Sequence, residues 1–350
     1  MLALGILEDY GSLVTQLEEV AGVSVRRGKE SPSGYLSDIS PIDKPWDIHR
    51  KATEDLIEIF LSGDYNHIKK AERMFHCSRV LEFGTDINEG GRLKLKSASF
   101  CRVRTCPTCQ WRRRVMWLTR FYKAFPKIYE DHPTLKYLML TLTVKNCSIT
   151  ELKKEVKKMS RAWDAFSQFK VYPAVGSLRT LEVTRGKDGT AHPHYHSLLA
   201  VEPSYFSRNY LSQKKWSSMW QESLKVDYSP ICDIHLVRGR SKANELTSNV
   251  VSAMSSAVME VVKYSTSEKD MIDDPDWILE MSDQISNSRA IALGGIFRKY
   301  LKEDKEEGNQ DLITDDGEIV SNNEGGEFFY WRGDPSIPRY KKVCNKVPLN

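Results

Sequence analysis

Between residues 136 and 264 the sequence switches repeatedly between two hydrophobic periods, and this alternation restricts the fold more than any other feature. KYLMLTLTV (136–144) is dense in β-branched and apolar residues and predicts a strand. Residues 150–169, TELKKEVKKMSRAWDAFSQF, carry apolar side chains at helical spacing, with Thr150 placed as an N-cap. LRTLEVTR (178–185) and HYHSLLAV (194–201) are strand patterns, and GKDGT between them supplies two turn-forming glycines. A helix at about 205–224, a strand over 231–238 and a helix from about Asn244 through Tyr264 complete the order β-α-β-β-α-β-α. That order predicts an α+β fold, a split βαβ antiparallel-rich sheet with helices packed on one face.

The flanks differ in character. Residues 1–47 read as an N-terminal extension ending in a Ser-, Pro- and charge-rich linker (27–47). A helical and Cys-rich basic module covers 48–130, with a helix over 48–75, and the α+β domain covers 131–302. Residues 303–327 form an acidic linker, and 328–350 an aromatic tail.

Composition excludes several classes. The chain has 350 residues, 40% of them hydrophobic, with eight tryptophans and twelve phenylalanines, which is incompatible with overall disorder. No uncharged apolar run approaches the ~18 residues that a membrane span requires. The start, MLALGILEDY, meets acid at Glu8 without a basic region before it, so no secretory signal is expected. Seven cysteines, an odd number, fit a reducing cytoplasm better than a disulfide scaffold. The net charge of +4 conceals a strong asymmetry: residues 303–327 hold ten acids against one lysine, leaving the rest of the chain at +13. Arg102, Arg104, Arg112, Arg113, Arg114, Arg120 and Lys123 fall in one acid-free stretch, which points to a polyanion partner.

The densest histidine cluster is HPHYH, with His192, His194 and His196. Alternate side chains of a strand share a face, so His194 and His196 project together and can chelate one ion. A hairpin through 186–190 sets Glu182 roughly across from them, completing a three-donor set with open positions. A one-residue slip would turn Glu182 away, and His192 precedes Pro193, which disturbs the alternation. The alternative is a His-rich surface hairpin. In EVVKY, Glu260 and Tyr264 stand one helical turn apart, with Lys263 adjacent and able to contact phosphate or lower the phenol's pKa. A tyrosine at a helix end is otherwise structural.

Cys77, Cys101, Cys106 and Cys109 supply four thiolates, the stoichiometry of a structural Zn²⁺. CPTC (106–109) is the strong half of that pattern; His76 is an alternative to Cys77, and a redox CxxC or ordinary core cysteines remain the competing readings. The helix after Cys109 presents arginines with Trp111 and Trp117 interleaved, suited to phosphates and unpaired bases.

Taken together, LMLTLTV (138–144), EVT followed by HPHYHSLL (182–199), EVVKYSTSEKD (260–270) and CRVRTCPTCQWRR resemble the replication initiator (Rep) proteins of small rolling-circle plasmids, within the HUH endonuclease superfamily. The resemblance implies the HUH nuclease fold as a nicking-joining domain. It implies a divalent ion, Mn²⁺ or Mg²⁺, on His194, His196 and Glu182, and Tyr264 as the nucleophile on a scissile phosphate of plasmid origin DNA. A 5′-phosphotyrosine and a 3′-hydroxyl primer would result, with the displaced strand rejoined at termination and Glu260 activating a water there. The nick site would be single-stranded or in a hairpin beside duplex, and a host helicase and polymerase would act with the protein in a prokaryotic cytoplasm, with no membrane. A relaxase or single-strand transposase uses the same chemistry in another role, and a non-catalytic zinc-dependent DNA-binding regulator is the reading from a different class.

Overall fold

A computed structural model describes residues 34–86, 92–237, 257–262, 274–301, 312–313, 327–332 and 336–343. Its strands are β1 (Val80–Asp86), β2 (Arg92–Ala98), β3 (Lys136–Thr143), β4 (Ala174–Arg185), β5 (Ala191–Val201), β6 (Cys232–Leu236), β7 (Ile291–Gly294), β8 (Glu327–Trp331) and β9 (Tyr340–Val343). The main helices are α1 (Lys44–Leu61), α2 (Tyr65–Phe75), α3 (Pro107–Asp131), α4 (Leu152–Phe166), α5 (Gln213–Leu224), α6 (Pro275–Gln284) and α7 (Gly295–Tyr300). Residues 257–261 are also helical. The chain divides into two compact units, one of residues 1–116 with 305–350 and one of residues 117–304.

In the first unit, the stretch expected as one helix over 48–75 is two. The break falls at Gly63, and the Asp64 carboxylate accepts the backbone N–H groups of Asn66 (2.9 Å) and His67 (3.0 Å), capping α2. Order also begins earlier than the expected linker allows, because Leu36 and Trp46 are fully buried. The four-stranded antiparallel sheet runs β2-β1-β8-β9. Two of its strands come from the aromatic segment read as a tail. Phe329 meets Phe83 edge to face with centroids 5.6 Å apart, and the buried Tyr340 donates its hydroxyl to the Ser78 carbonyl at 2.6 Å. That pairing joins residues more than two hundred positions apart, so no local pattern announces it.

The second unit holds the five-stranded sheet, ordered β6-β3-β5-β4-β7 with every neighbour antiparallel. Strands β3, β4, β5 and β6 with α4 and α5 make the expected split βαβ arrangement, and the fold is α+β. On one face Tyr195 packs against Trp163 of α4 (6.1 Å) and Trp220 of α5 (6.3 Å). Helices also reach the opposite face, where Tyr137 stacks on Phe297 of α7 at 6.5 Å and 8° and lies 6.2 Å from Phe125 of α3. The order of elements in the sequence predicts helices on one face only. Tyr137 and Ala200 give that second face its apolar end, which accepts Phe297 as a cover. A 3₁₀ turn, Ile149–Glu151, leads into α4, so Thr150 does not cap that helix. Among the described residues no helix is long and apolar enough to cross a membrane.

Candidate active site

The β4–β5 hairpin closes at Gly186, whose N–H donates to the Thr190 carbonyl at 2.8 Å, and Gly189 takes φ +79°, which its missing Cβ permits. This turn sets the register with Glu182 opposite His194 and Thr180 opposite His196. Glu182, His194 and His196 therefore share the face opposite Tyr195. Glu182 Oε2 lies 2.9 Å from His196 Nε2 and 3.4 Å from His194 Nε2. Ligands bound side by side at about 2.1 Å from one ion stand about 3 Å apart, so the three atoms fit a shared cation. Two imidazoles and a carboxylate suit a divalent transition metal and also tolerate Mg²⁺. These three residues form one of the groups whose donor atoms all lie within 4.8 Å of one another.

Each donor is oriented by a neighbour. His194 Nδ1 is 3.1 Å from the His192 carbonyl, which only accepts, so Nδ1 carries the proton and Nε2 keeps its lone pair for a metal. His196 Nδ1 is 3.2 Å from Thr141 Oγ1, the residue paired with it on β3. Burial raises the Glu182 pKa, but the neighbouring His194 and His196 side chains outweigh it, leaving the carboxyl at about 2. The donor set is thus an ionised carboxylate with two aimed imidazole nitrogens. His192 stands apart from the set, its Nδ1 held 2.8 Å from Asn146 Oδ1. Thr141 was accessible to the same alternation argument that found the histidines; Asn146, outside the strand pattern, left no signal in the sequence.

The helical residues 257–261 approach this face. Thr180, next to Glu182 on its face and opposite His196, donates its hydroxyl to the Val261 carbonyl. Three residues past Glu182, the Arg185 guanidinium pairs with Asp274, which also caps α6 through the Trp277 N–H at 3.1 Å. Strand β4 therefore holds Val261 and Asp274, described residues close to either end of 263–273. Glu260 is half-buried in the helical segment. Lys263 and Tyr264 lie outside the described residues.

In the first unit, Cys77, Cys101, Cys106 and Cys109 are all buried and converge as expected. Sγ separations are 3.5 Å (77 to 109), 3.6 Å (101 to 109) and 3.8 Å (77 to 106). Tetrahedral sulfurs at ~2.3 Å from zinc stand about 3.8 Å apart, whereas a disulfide needs about 2 Å, so the cluster fits a four-cysteine metal site. The backbone N–H of Arg102, in a left-handed conformation at φ +55°, points to Cys109 Sγ at 3.3 Å. Fully buried Arg50 donates to the carbonyls of Met74 (2.9 Å) and Cys77. It braces the backbone that carries Cys77, and no spacing in the sequence revealed it.

A family model described as "Replication protein" matches residues 92–340. The chain belongs to this family, that of plasmid replication initiators. The match spans the triad, three of the four cysteines and strand β8, and leaves Cys77 just outside. Among similar curated proteins, a "Protein rep" of Bacillus amyloliquefaciens is 35% identical over 290 residues, covering 78% of this chain and 84% of that protein. A "Protein rep" of Lentilactobacillus hilgardii is also 35% identical, over 75% of this chain and 82% of its own. One from Streptococcus pneumoniae is 30% identical over 80% of this chain and 87% of its own. No solved structure matches. Membership agrees with the resemblance to the HUH superfamily and with an endonuclease role.

The arginine stretch separates into different environments. Arg112 is only 5% exposed; its Nε donates to the Leu312 carbonyl at 3.0 Å and its guanidinium covers Trp46 and Trp111. It is a packing residue and presents no surface to DNA. Arg104 is half-buried, and burial with the nearby Arg113 charge lowers its pKa to about 10. Arg113, Arg114 and Arg120 are half-buried and Arg102 is exposed. Trp117 is core, and Trp111 stacks on His49 with centroids 4.9 Å apart. Helix α3 has no wholly polar side, so a run of basic residues around it must send some inward.

Proposed function

We propose that this chain is a metal-dependent, strand-specific DNA nicking and joining enzyme that starts rolling-circle replication at a plasmid origin. The reading rests chiefly on Glu182, His194 and His196, whose donor atoms converge on the face where Thr180 ties down the Val261 carbonyl. Tyr264 follows Val261 by three residues, within about 10 Å along even an extended chain.

Glu182, His194 and His196 would hold Mn²⁺ or Mg²⁺, which when bound polarises the phosphate and neutralises its developing charge. The phenolic oxygen of Tyr264 attacks phosphorus in line. The new O–P bond replaces the bond to the 3′-oxygen, which leaves as a hydroxyl after taking a proton. Lys263, beside the nucleophile, favours the phenolate and meets the phosphate. The 5′-phosphotyrosine conserves the phosphodiester's energy, so a later 3′-hydroxyl can displace the tyrosine and rejoin DNA without ATP. The motif has one tyrosine, and Glu260 serves as general base for water at termination. The exposed and half-buried arginines Arg102, Arg104, Arg113, Arg114 and Arg120 contact origin DNA, and the four-cysteine cluster holds structural zinc that stiffens the segment bearing them. A host helicase and polymerase then extend the 3′-hydroxyl in the bacterial cytoplasm.

A denaturing gel of the protein incubated with single-stranded origin oligonucleotide and Mn²⁺ tests this. A covalent adduct lost in Tyr264→Phe supports it; unimpaired adduct formation by that variant contradicts it. For Glu260, normal release of monomeric circles by Glu260→Gln removes the proposed role.

A further inference from the structure

The outer surface of the second unit carries a groove of about 770 Å³ between α4, the C-terminal end of α5 and Gln284 of α6. Lys153, Lys154, Lys157, Lys158, Arg161 and Lys225 line it, and among the described residues no acidic one does. The groove lies on the far side of the sheet from the metal triad, because α4 packs through Trp163 on Tyr195, whose neighbours His194 and His196 point the other way.

Two observations set this groove apart from an ordinary solvated helix. Lys154 and Lys158 pair with Glu151 (2.9 Å) and Glu155 (3.8 Å), as surface lysines commonly do. Lys153, Lys157 and Arg161 instead repeat at i, i+4 and i+8, an exposed row of like charge that weakens a helix. Lys225 ends α5 in the left-handed conformation at φ +55°, where glycine is the favoured residue, and its side chain also faces the groove. The row costs helix stability, and the lysine sits at a position where glycine would be easier. A polyanion seated in the groove offsets both.

We propose that this groove binds the sugar-phosphate backbone of DNA, as a track separate from the metal triad. Eight residues of helix extend about 12 Å, enough to meet three or four successive phosphates of one strand. The track reads charge and carries no sequence preference, so it holds DNA that the triad does not touch. The inference stands independently of the nicking reading.

The test is equilibrium binding by the full chain, without divalent metal, to a 30-nucleotide single strand and to a 30-base-pair duplex of arbitrary sequence across a salt series. The variant is Lys153→Gln/Lys157→Gln/Arg161→Gln. We expect its slope of log K against log[salt] to be shallower by about 2–3 on at least one DNA form, with affinity at least tenfold weaker at low salt. The form affected tells whether single strand or duplex lies in the groove. Lys153→Arg/Lys157→Arg should keep the wild-type slope. Unchanged slopes on both forms, in a variant with wild-type melting and Mn²⁺ affinity, overturn the proposal. So does a variant that loses binding to a polyglutamate peptide while keeping its DNA affinity, since the groove then takes an acidic protein.

Discussion

Glu182 faces His194 directly across the β4–β5 ladder, yet its Oε2 comes nearer to His196, at 2.9 Å against 3.4 Å. The carboxylate leans along the strand toward the diagonal neighbour, a reach that paired strands allow. This lean brings one oxygen between two imidazole nitrogens. Were it upright, Glu182 would serve His194 alone.

Ligand substitution should follow this geometry. His194→Ala and His196→Ala each remove a donor, and Mn²⁺ affinity measured by calorimetry should fall by more than a hundredfold. Thr141→Val removes only the group orienting His196, and the loss should be about 10–100-fold. His192→Ala should leave the affinity close to wild type, because Asn146 rather than the triad holds that ring. A large loss in the last variant contradicts the three-donor assignment.

Thr180 separates positioning from metal binding. Thr180→Val keeps the side chain's shape but leaves the Val261 carbonyl without its hydroxyl partner. A buried unpaired acceptor costs about 1–3 kcal/mol, read as a lower urea midpoint. Mn²⁺ affinity should stay unchanged while single-turnover cleavage slows at least tenfold. Equal losses in binding and cleavage would place Thr180 in support of the ligands instead.

For the cysteine cluster, the purified chain should carry one zinc, measured by elemental analysis. Cys109→Ala should release it and lower the melting temperature, because Cys109 Sγ receives the Arg102 N–H and approaches two other sulfurs. Burial and the neighbouring sulfurs push the Cys101 thiol well up, so without a cation it stays protonated. A chain that melts identically with and without zinc contradicts a structural role.

Local patterns made the second unit legible. Strand alternation put His194 and His196 on one face, and the GKDGT turn set Glu182 roughly across from them, with the one-residue register decided only by the strand pairing. CPTC with two further cysteines was likewise readable, since its residues need only meet at one point. What escaped depends on distant partners. Strand β8 acquires its identity by pairing with β1, across most of the chain, and β9 by pairing with β8 in turn. Arg112 differs from its neighbours only because Trp46, Trp111 and Leu312 close around it. A basic residue's sequence neighbours do not reveal which side of its helix is covered.

The most direct test of the central claim is mass-spectrometric mapping of the covalent complex. The wild-type chain, incubated with single-stranded origin DNA and Mn²⁺, is digested with trypsin and nuclease. The account predicts one modified peptide, carrying a 5′-linked nucleotide phosphate on Tyr264, absent from His196→Ala. A nucleotide on any other residue, or an adduct that forms equally without His196, contradicts it.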